Sequence, residues 1–158
     1  MISFRNFVSS LALVLAFGSN CVDAQAQQDS LNRIDVVRLD SRFDKLVPLN
    51  AKIEKIAGGH KWVEGPVWNR KEEYLLFSDI PNNSIYKWQE GRGESLFLKP
   101  SGYTGKIPFE GPEPGSNGLT YAPDGRLVLA EHGDRRVARL ETNGRKTTLV
   151  DRLRRETN

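Results

Sequence analysis

The stretch "EPGSNGLTYAPDGRLVLAEHGDRRVARLETNGRKTTLV", Glu113 to Val150, follows the order of an earlier one, "WVEGPVWNRKEEYLLFSDIPNNSIYKWQEGRG", Trp62 to Gly93. Setting Glu64 on Asn117 places Gly65 on Gly118 and Trp68 on Tyr121. After a one-residue adjustment, Leu75-Leu76-Phe77 falls on Leu127-Val128-Leu129, and Ile85-Tyr86-Lys87-Trp88 on Val137-Ala138-Arg139-Leu140. A period of about 53 residues points to a propeller or a solenoid. Inside the second repeat, Gly118 to Tyr121, "RLVLAE", "RVARLE" and "KTTLV" are short apolar runs parted by "APDG", "HGDR" and "TNG". Pro-Asp-Gly suits a tight turn, and Asn143-Gly144 between apolar runs is a hairpin signal. Four antiparallel strands with turns every 8–12 residues or so make one propeller blade. The expected class is all-β, with about two four-stranded antiparallel blades. The strand chemistry excludes a helical solenoid, and a sandwich would leave the ordered repeat unexplained.

Upstream of the repeat the text changes character. "MISFRNFVSS" carries one cation, Arg5, before the apolar run "LALVLAF" and the small residues of "CVDAQAQQ". That is the layout of a secretory signal peptide, expected over residues 1–24, and its apolar part is too short to span a membrane. The mature protein is therefore expected to be exported, periplasmic or extracellular, and free of the membrane. Cys21, the only cysteine, would leave with the signal, which excludes disulfides, a thiol nucleophile and a thiolate metal site. Residues 25–50 read as a polar lead-in and residues 51–158 as the propeller part. The net charge of +3 on a chain with 27% charged residues supports solubility and names no partner. The basic run "DRLRRETN" has no interleaved aromatics, so nucleic-acid binding is not expected.

Two repeats fall short of the roughly four to eight blades that a closed propeller contains. The expectation is an N-terminal part of a longer protein or a shortened reading frame, marginally stable alone. In an up-and-down meander, alternate connections share one rim. The starts of the two innermost strands, Glu64 and Asn117, then lie on the same rim as "DIPNN" (Asp79 to Asn83), "HGDR" (His132 to Arg135) and the Gly/Pro-rich loop "KPSGYTGKIPFEGPEPGS". Such a loop is long enough to act as a lid. A carboxylate and a carboxamide oxygen at equivalent inner positions are hard donors suited to Ca²⁺ or Mg²⁺. The structural alternative is that each side chain satisfies backbone groups at its strand start.

"WVEGPVW", the "SDI" after an apolar strand and the second-repeat segment from Glu113 resemble the opening of the SMP-30/gluconolactonase family, over roughly Ile53 to Val150. The resemblance implies a six-bladed propeller in the intact protein, with a divalent metal in the central channel, Ca²⁺ foremost and Zn²⁺ or Mg²⁺ as alternatives. It also implies hydrolysis of sugar lactones. Carried over residue by residue, Glu64 matches a metal ligand in the family's "EGP" motif, and Asn117 matches an Asn that contacts substrate or metal. Two departures stand out. Gly115 occupies the position where some sugar-lactone members carry Arg, and the remaining ligands, with the usual general base, belong to later blades beyond Asn158. The chain by itself is therefore expected to be inactive.

Other candidates are weaker. His132 lies on the expected rim and could hydrogen-bond substrate, or simply face solvent. His60 has no partner at metal-ligand spacing and reads as structural. Ser116 is no nucleophile elbow, because Pro114 stands where that motif needs Gly and a strand follows where it needs a helix. Tyr103 could cover a substrate, and Trp68, Phe77 and Trp88 read as blade core. The functional expectation is metal-assisted opening of a sugar lactone. The alternative is a secreted, non-catalytic propeller that binds without turnover, since the fold alone does not decide.

Overall fold

The computed structural model describes residues 36–152. The signal peptide, the first part of the lead-in and most of the basic run "DRLRRETN" lie outside the described residues. The backbone divides into two compact units between Lys55 and Ile56. In the first, Ser41–Lys45 forms one short 3-10 helix. Asp40 caps it by accepting a hydrogen bond from the Arg42 backbone N–H at 2.8 Å. Arg38 holds the segment closed by donating to Asp44, to the Val47 carbonyl and to the Pro48 carbonyl.

Among the described residues the second unit contains eight strands. They are β1 (Val63–Asn69), β2 (Tyr74–Asp79), β3 (Ser84–Gln89), β4 (Gly93–Leu98), β5 (Ser116–Tyr121), β6 (Leu127–Glu131), β7 (Arg136–Leu140) and β8 (Lys146–Val150). They form two antiparallel four-stranded sheets in sequential order, β1-β2-β3-β4 and β5-β6-β7-β8. The class and the two blades agree with the reading of the repeat. No helix among the described residues is long and apolar enough to cross a membrane.

The two sheets match even in their irregularities. The inner strand of each carries one extra residue near its start, between Glu64 and Val67 in β1 and between Ser116 and Leu119 in β5. In β1 the bulge contains Pro66, which has no N–H to donate to the ladder. The outer pairs carry the same defect again, between Leu98 and Leu96 opposite Ile85-Tyr86, and between Val150 and Thr148 opposite Val137-Ala138. The β2–β3 and β6–β7 turns each place a non-glycine residue in the left-handed region, Asn83 at φ 52° and Arg135 at φ 53°.

Strand alternation gives each sheet two faces. One face of sheet 1 packs on one face of sheet 2, and between them Leu76, Ile85, Leu127 and Leu129 form the core with Tyr74. Val67, Leu119 and Tyr121 from the inner strands close that core. At its far end Asn69 donates to the hydroxyls of Tyr74 at 3.0 Å and Tyr121 at 3.2 Å. Burial, with the Tyr74 hydroxyl beside it, pushes the Tyr121 phenol well above its usual range.

The reading of Trp68 as blade core needs correction, because it is 45% exposed. Val67 points into the shared core, so its neighbour Trp68 points to the opposite face of sheet 1, which His60 covers only around Phe77 and Tyr86. Phe77 on that same face is buried, and Trp88 is half-buried.

Candidate functional site

The rim assignment follows from the strand register. Glu64 pairs with Ser78, and Ser116 with Glu131, so both inner strands begin beside the turns that leave β2 and β6. The ends of the long loop are fastened to the same rim. Gly115 N–H donates to the Ile80 carbonyl at 3.0 Å, and Tyr103 N–H donates to the Pro114 carbonyl.

The inner strands meet at Gly65. A Cβ there would lie 2.2 Å from the Asn117 carbonyl oxygen and 2.9 Å from the Leu119 nitrogen, and φ is +56°. Only glycine fits so close a backbone approach in that conformation. Gly65 therefore brings the Glu64 bulge against the Asn117 bulge. Behind them Ser78 Oγ lies 2.9 Å from Ser116 Oγ and donates to the Asn117 carbonyl at 3.0 Å. Ser116 is buried and its N–H is held by Ser101 Oγ at 3.0 Å, which makes it a structural residue here.

The two candidate ligands differ from their neighbours in what they do not do. Trp62 Nε1 donates to Glu64 Oε1 at 3.2 Å, while Oε2 accepts no hydrogen bond among the described residues. The Asn117 carboxamide makes none among them, and Asn117 is exposed. Neither side chain caps a backbone group among the described residues, although both stand at strand starts. The donor chemistry fits a hard divalent cation, but only as part of a site: Ca²⁺ takes about six to eight oxygens. Among the described residues no three His, Cys, Asp or Glu side chains converge to hold a metal.

His132 lies on this rim, half-exposed, with Nδ1 3.2 Å from Glu113 Oε2. Tyr103 does not extend over the rim as a free cover. Its hydroxyl donates to the Ile107 carbonyl at 2.8 Å, and its ring packs on Phe109 with centroids 5.1 Å apart. An open pocket of about 430 Å³ beside it is lined by Asn83, Tyr103, Lys106 and Phe109. A second cleft, about 630 Å³, opens on the opposite rim beside Asn69 and Tyr121. Neither of the two includes Glu64 or Asn117 in its lining.

Three arrangements escaped the sequence reading. Asn83 clamps the loop base: Oδ1 accepts from Ser101 N–H at 3.0 Å and Gly102 N–H at 2.7 Å, and Nδ2 donates to the Tyr103 carbonyl at 2.8 Å. Asp134 adds a second tie, accepting from Thr104 N–H at 3.0 Å and Thr104 Oγ1 at 2.6 Å. Glu131, fully buried, is ion-paired to both Arg136 and Lys146. His60 sits between two carboxylates, with Nδ1 3.3 Å from Asp79 and Nε2 2.9 Å from Glu94, its ring against Tyr86 and Phe77. That supports its structural reading. Burial works against the charge on Asp79, but hydrogen bonds from Asn82, the Trp62 and Lys61 N–H groups and His60 outweigh it and hold the carboxyl below its ordinary value.

The model of the SMP-30/gluconolactonase/LRE-like region matches residues 62–158. A gluconolactonase of Zymomonas mobilis subsp. mobilis is 35% identical over 144 residues, covering 89% of this chain and 40% of its own length. The solved structure of a gluconolactonase from Xanthomonas campestris superimposes with a TM-score of 0.61 at 23% identity, a likeness of fold, over 77% of this chain and 37% of that one. A further solved structure, of a candidate gluconolactonase, gives a TM-score of 0.56 at 27% identity, over 70% of this chain and 34% of that one. The chain thus spans two fifths of the curated relative and about a third of each solved structure.

Proposed function

The chain belongs to the SMP-30/gluconolactonase/LRE-like family, and from that premise we propose that it carries the first part of a metal-dependent lactonase site. The carrying observation is the pair of inner-strand bulges, where the oxygens of Glu64 and Asn117 are left largely unspent on the protein's own backbone. In this reading Glu64 is the charged ligand, oriented by the Trp62 indole, and its free Oε2 is the donor to a divalent cation, Ca²⁺ first. Asn117 orients a sugar lactone or completes the ligand shell, and His132 on the same rim is the substrate contact nearest the Glu113 carboxylate. A bound cation would polarise the lactone carbonyl and stabilise the negative charge that water attack places on its oxygen. The remaining ligands and the water-activating base come from outside these two blades. The chain by itself is accordingly expected to bind metal weakly and to turn over no lactone.

The test uses the protein form that hydrolyses lactone, with metal affinity and rate measured together. Glu64→Gln keeps the size and one oxygen but removes the charge, so Ca²⁺ affinity should fall about tenfold or more, with loss of turnover. Asn117→Ala should retain more metal and lose substrate affinity or rate. Unchanged metal occupancy and rate in the Glu64 variant would refute the assignment. Metal binding without hydrolysis of any sugar lactone would favour a binding module.

A further inference from the structure

Three serines, Ser78, Ser101 and Ser116, are fully buried behind the two inner-strand starts. Their protons can be assigned one by one, because a hydroxyl donates only once. Ser78 Oγ gives its proton to the Asn117 carbonyl at 3.0 Å, so Ser116 Oγ is the donor in its 2.9 Å contact with Ser78. The Ser116 N–H donates to Ser101 Oγ at 3.0 Å, and Ser101 Oγ donates to Asn83 Oδ1 at 3.4 Å. Every hydroxyl is thereby oriented, in a chain that links the Asn83 turn to the Asn117 carbonyl. The register shows why that carbonyl needs a holder. Pairing of β5 with β6 passes from Ser116 directly to Leu119, so the ladder does not set the position of Asn117. Ser78, in turn, is the ladder partner of Glu64. The repeat adds an independent observation: its alignment sets Ala130 at the place of Ser78 and Val63 at the place of Ser116. Each blade forms the same frame without those hydroxyls, so the frame does not require them.

We propose that Ser78 is a positioning residue for the candidate site, its hydroxyl setting where the Asn117 bulge stands relative to Glu64. The inference rests on the lactonase reading above and deepens it. Ser78 acts through the main chain of Asn117, and Ser116 keeps the Ser78 hydroxyl aimed at that carbonyl. Without the bond, the peptide between Asn117 and Gly118 is free to turn, and the Asn117 carboxamide turns with it. A Cβ on Gly118 would meet nothing within 4 Å, so packing on that side does not hold the peptide in place. A small movement is enough, since misplacing a reacting group by about 1 Å costs on the order of a hundredfold in rate.

The experiment is a double-mutant cycle in the lactone-hydrolysing form of the protein, with Ser78→Ala, Asn117→Ala and the two together. Far-UV circular dichroism checks the strands of each variant, and the carbonyl carbon resonance of Asn117 reports the contact itself. Ser78→Ala should move that resonance upfield and lower kcat/KM about tenfold. In the Asn117→Ala background the same change should cost less than about twofold, because the group that Ser78 positions is already gone. Equal losses in both backgrounds would make Ser78 a general structural residue and overturn the proposal. A wild-type rate in Ser78→Ala beside an impaired Asn117→Ala would overturn it too, while leaving the lactonase reading in place. Full activity in Asn117→Ala would refute the reading of Asn117 itself, and the proposal with it. Should Ser78→Ala lose its strands, Ser116→Ala removes the donor that orients the Ser78 hydroxyl and runs the same cycle under the same criteria.

Discussion

The two blades have the same frame and different contents. Bulges, turns and pairing recur at matching places, yet the charge at the end of the second strand is handled in two ways. In blade 1 Asp79 is buried among neutral donors and His60. In blade 2 Glu131 is buried between two permanent cations, Arg136 and Lys146. At the inner-strand starts a carboxylate in one blade faces a carboxamide in the other. The backbone repeat is thus a property of the fold, whereas these substitutions distinguish what each blade holds.

The largest effect should come from breaking the blade 2 cluster. Glu131→Ala leaves two cations facing a buried site, and removal of one partner from such a pair costs about 3–5 kcal/mol. Urea unfolding at a fixed protein concentration measures it, since association would shift the apparent value. All three tryptophans lie at or before Trp88. Their fluorescence therefore reports blade 1, while circular dichroism reports both blades, and a loss confined to blade 2 would separate the two probes.

The equivalent glycines give the next contrast. Gly65→Ala should destabilise by about 2 kcal/mol or more, from the left-handed backbone and the clash with the Asn117 carbonyl. Gly118→Ala, where a Cβ meets nothing within 4 Å, should stay within about 0.5 kcal/mol of wild type. Equal costs would mean that the inner strands do not meet as described.

Turn residues give a smaller and opposite pair. Asn83→Ala removes four side-chain hydrogen bonds from the loop base, about 1–3 kcal/mol in all, and should speed amide exchange at Ser101 and Gly102. Arg135→Asn should instead gain roughly 0.5 kcal/mol, because Asn tolerates the left-handed conformation that Arg adopts at strain.

The smallest effect is in acid. The Asp79 carboxyl titrates lower in the folded chain than in the unfolded one. The stability it contributes is present above about pH 4 and is lost as pH falls through the folded value. Asp79→Asn should flatten that acid limb of stability against pH, and an unchanged limb would count against the hydrogen bonds that hold the carboxylate.

How much of this was legible in the text depends on range. Turns such as "APDG" and the alternating runs beside them are local, so class, strand order and the shared rim could be read directly. Glu64 and Asn117 were singled out as candidates because one repeat calibrates the other. Glu131 with Lys146, or His60 with Asp79 and Glu94, are joined only by the folded register, and no spacing in the sequence announces them. Trp68 was misread for a related reason. Its chemistry is that of a core residue, as its counterpart Tyr121 shows, but burial depends on a neighbouring face that the sequence of one blade cannot supply.

The clamp on the loop between the blades has a consequence for change over time. Asn83 and Asp134 grip Ser101, Gly102, Tyr103 and Thr104, mostly through the main chain, and Gly115 is tied to the Ile80 carbonyl, so what lies between is carried rather than required. Doubling the length of such a segment costs only about 0.6 kcal/mol in closure entropy. The stretch from Gly105 to Pro112 is a replaceable cartridge at the rim, which inheritance or an engineer could rewrite while both blades stay as they are.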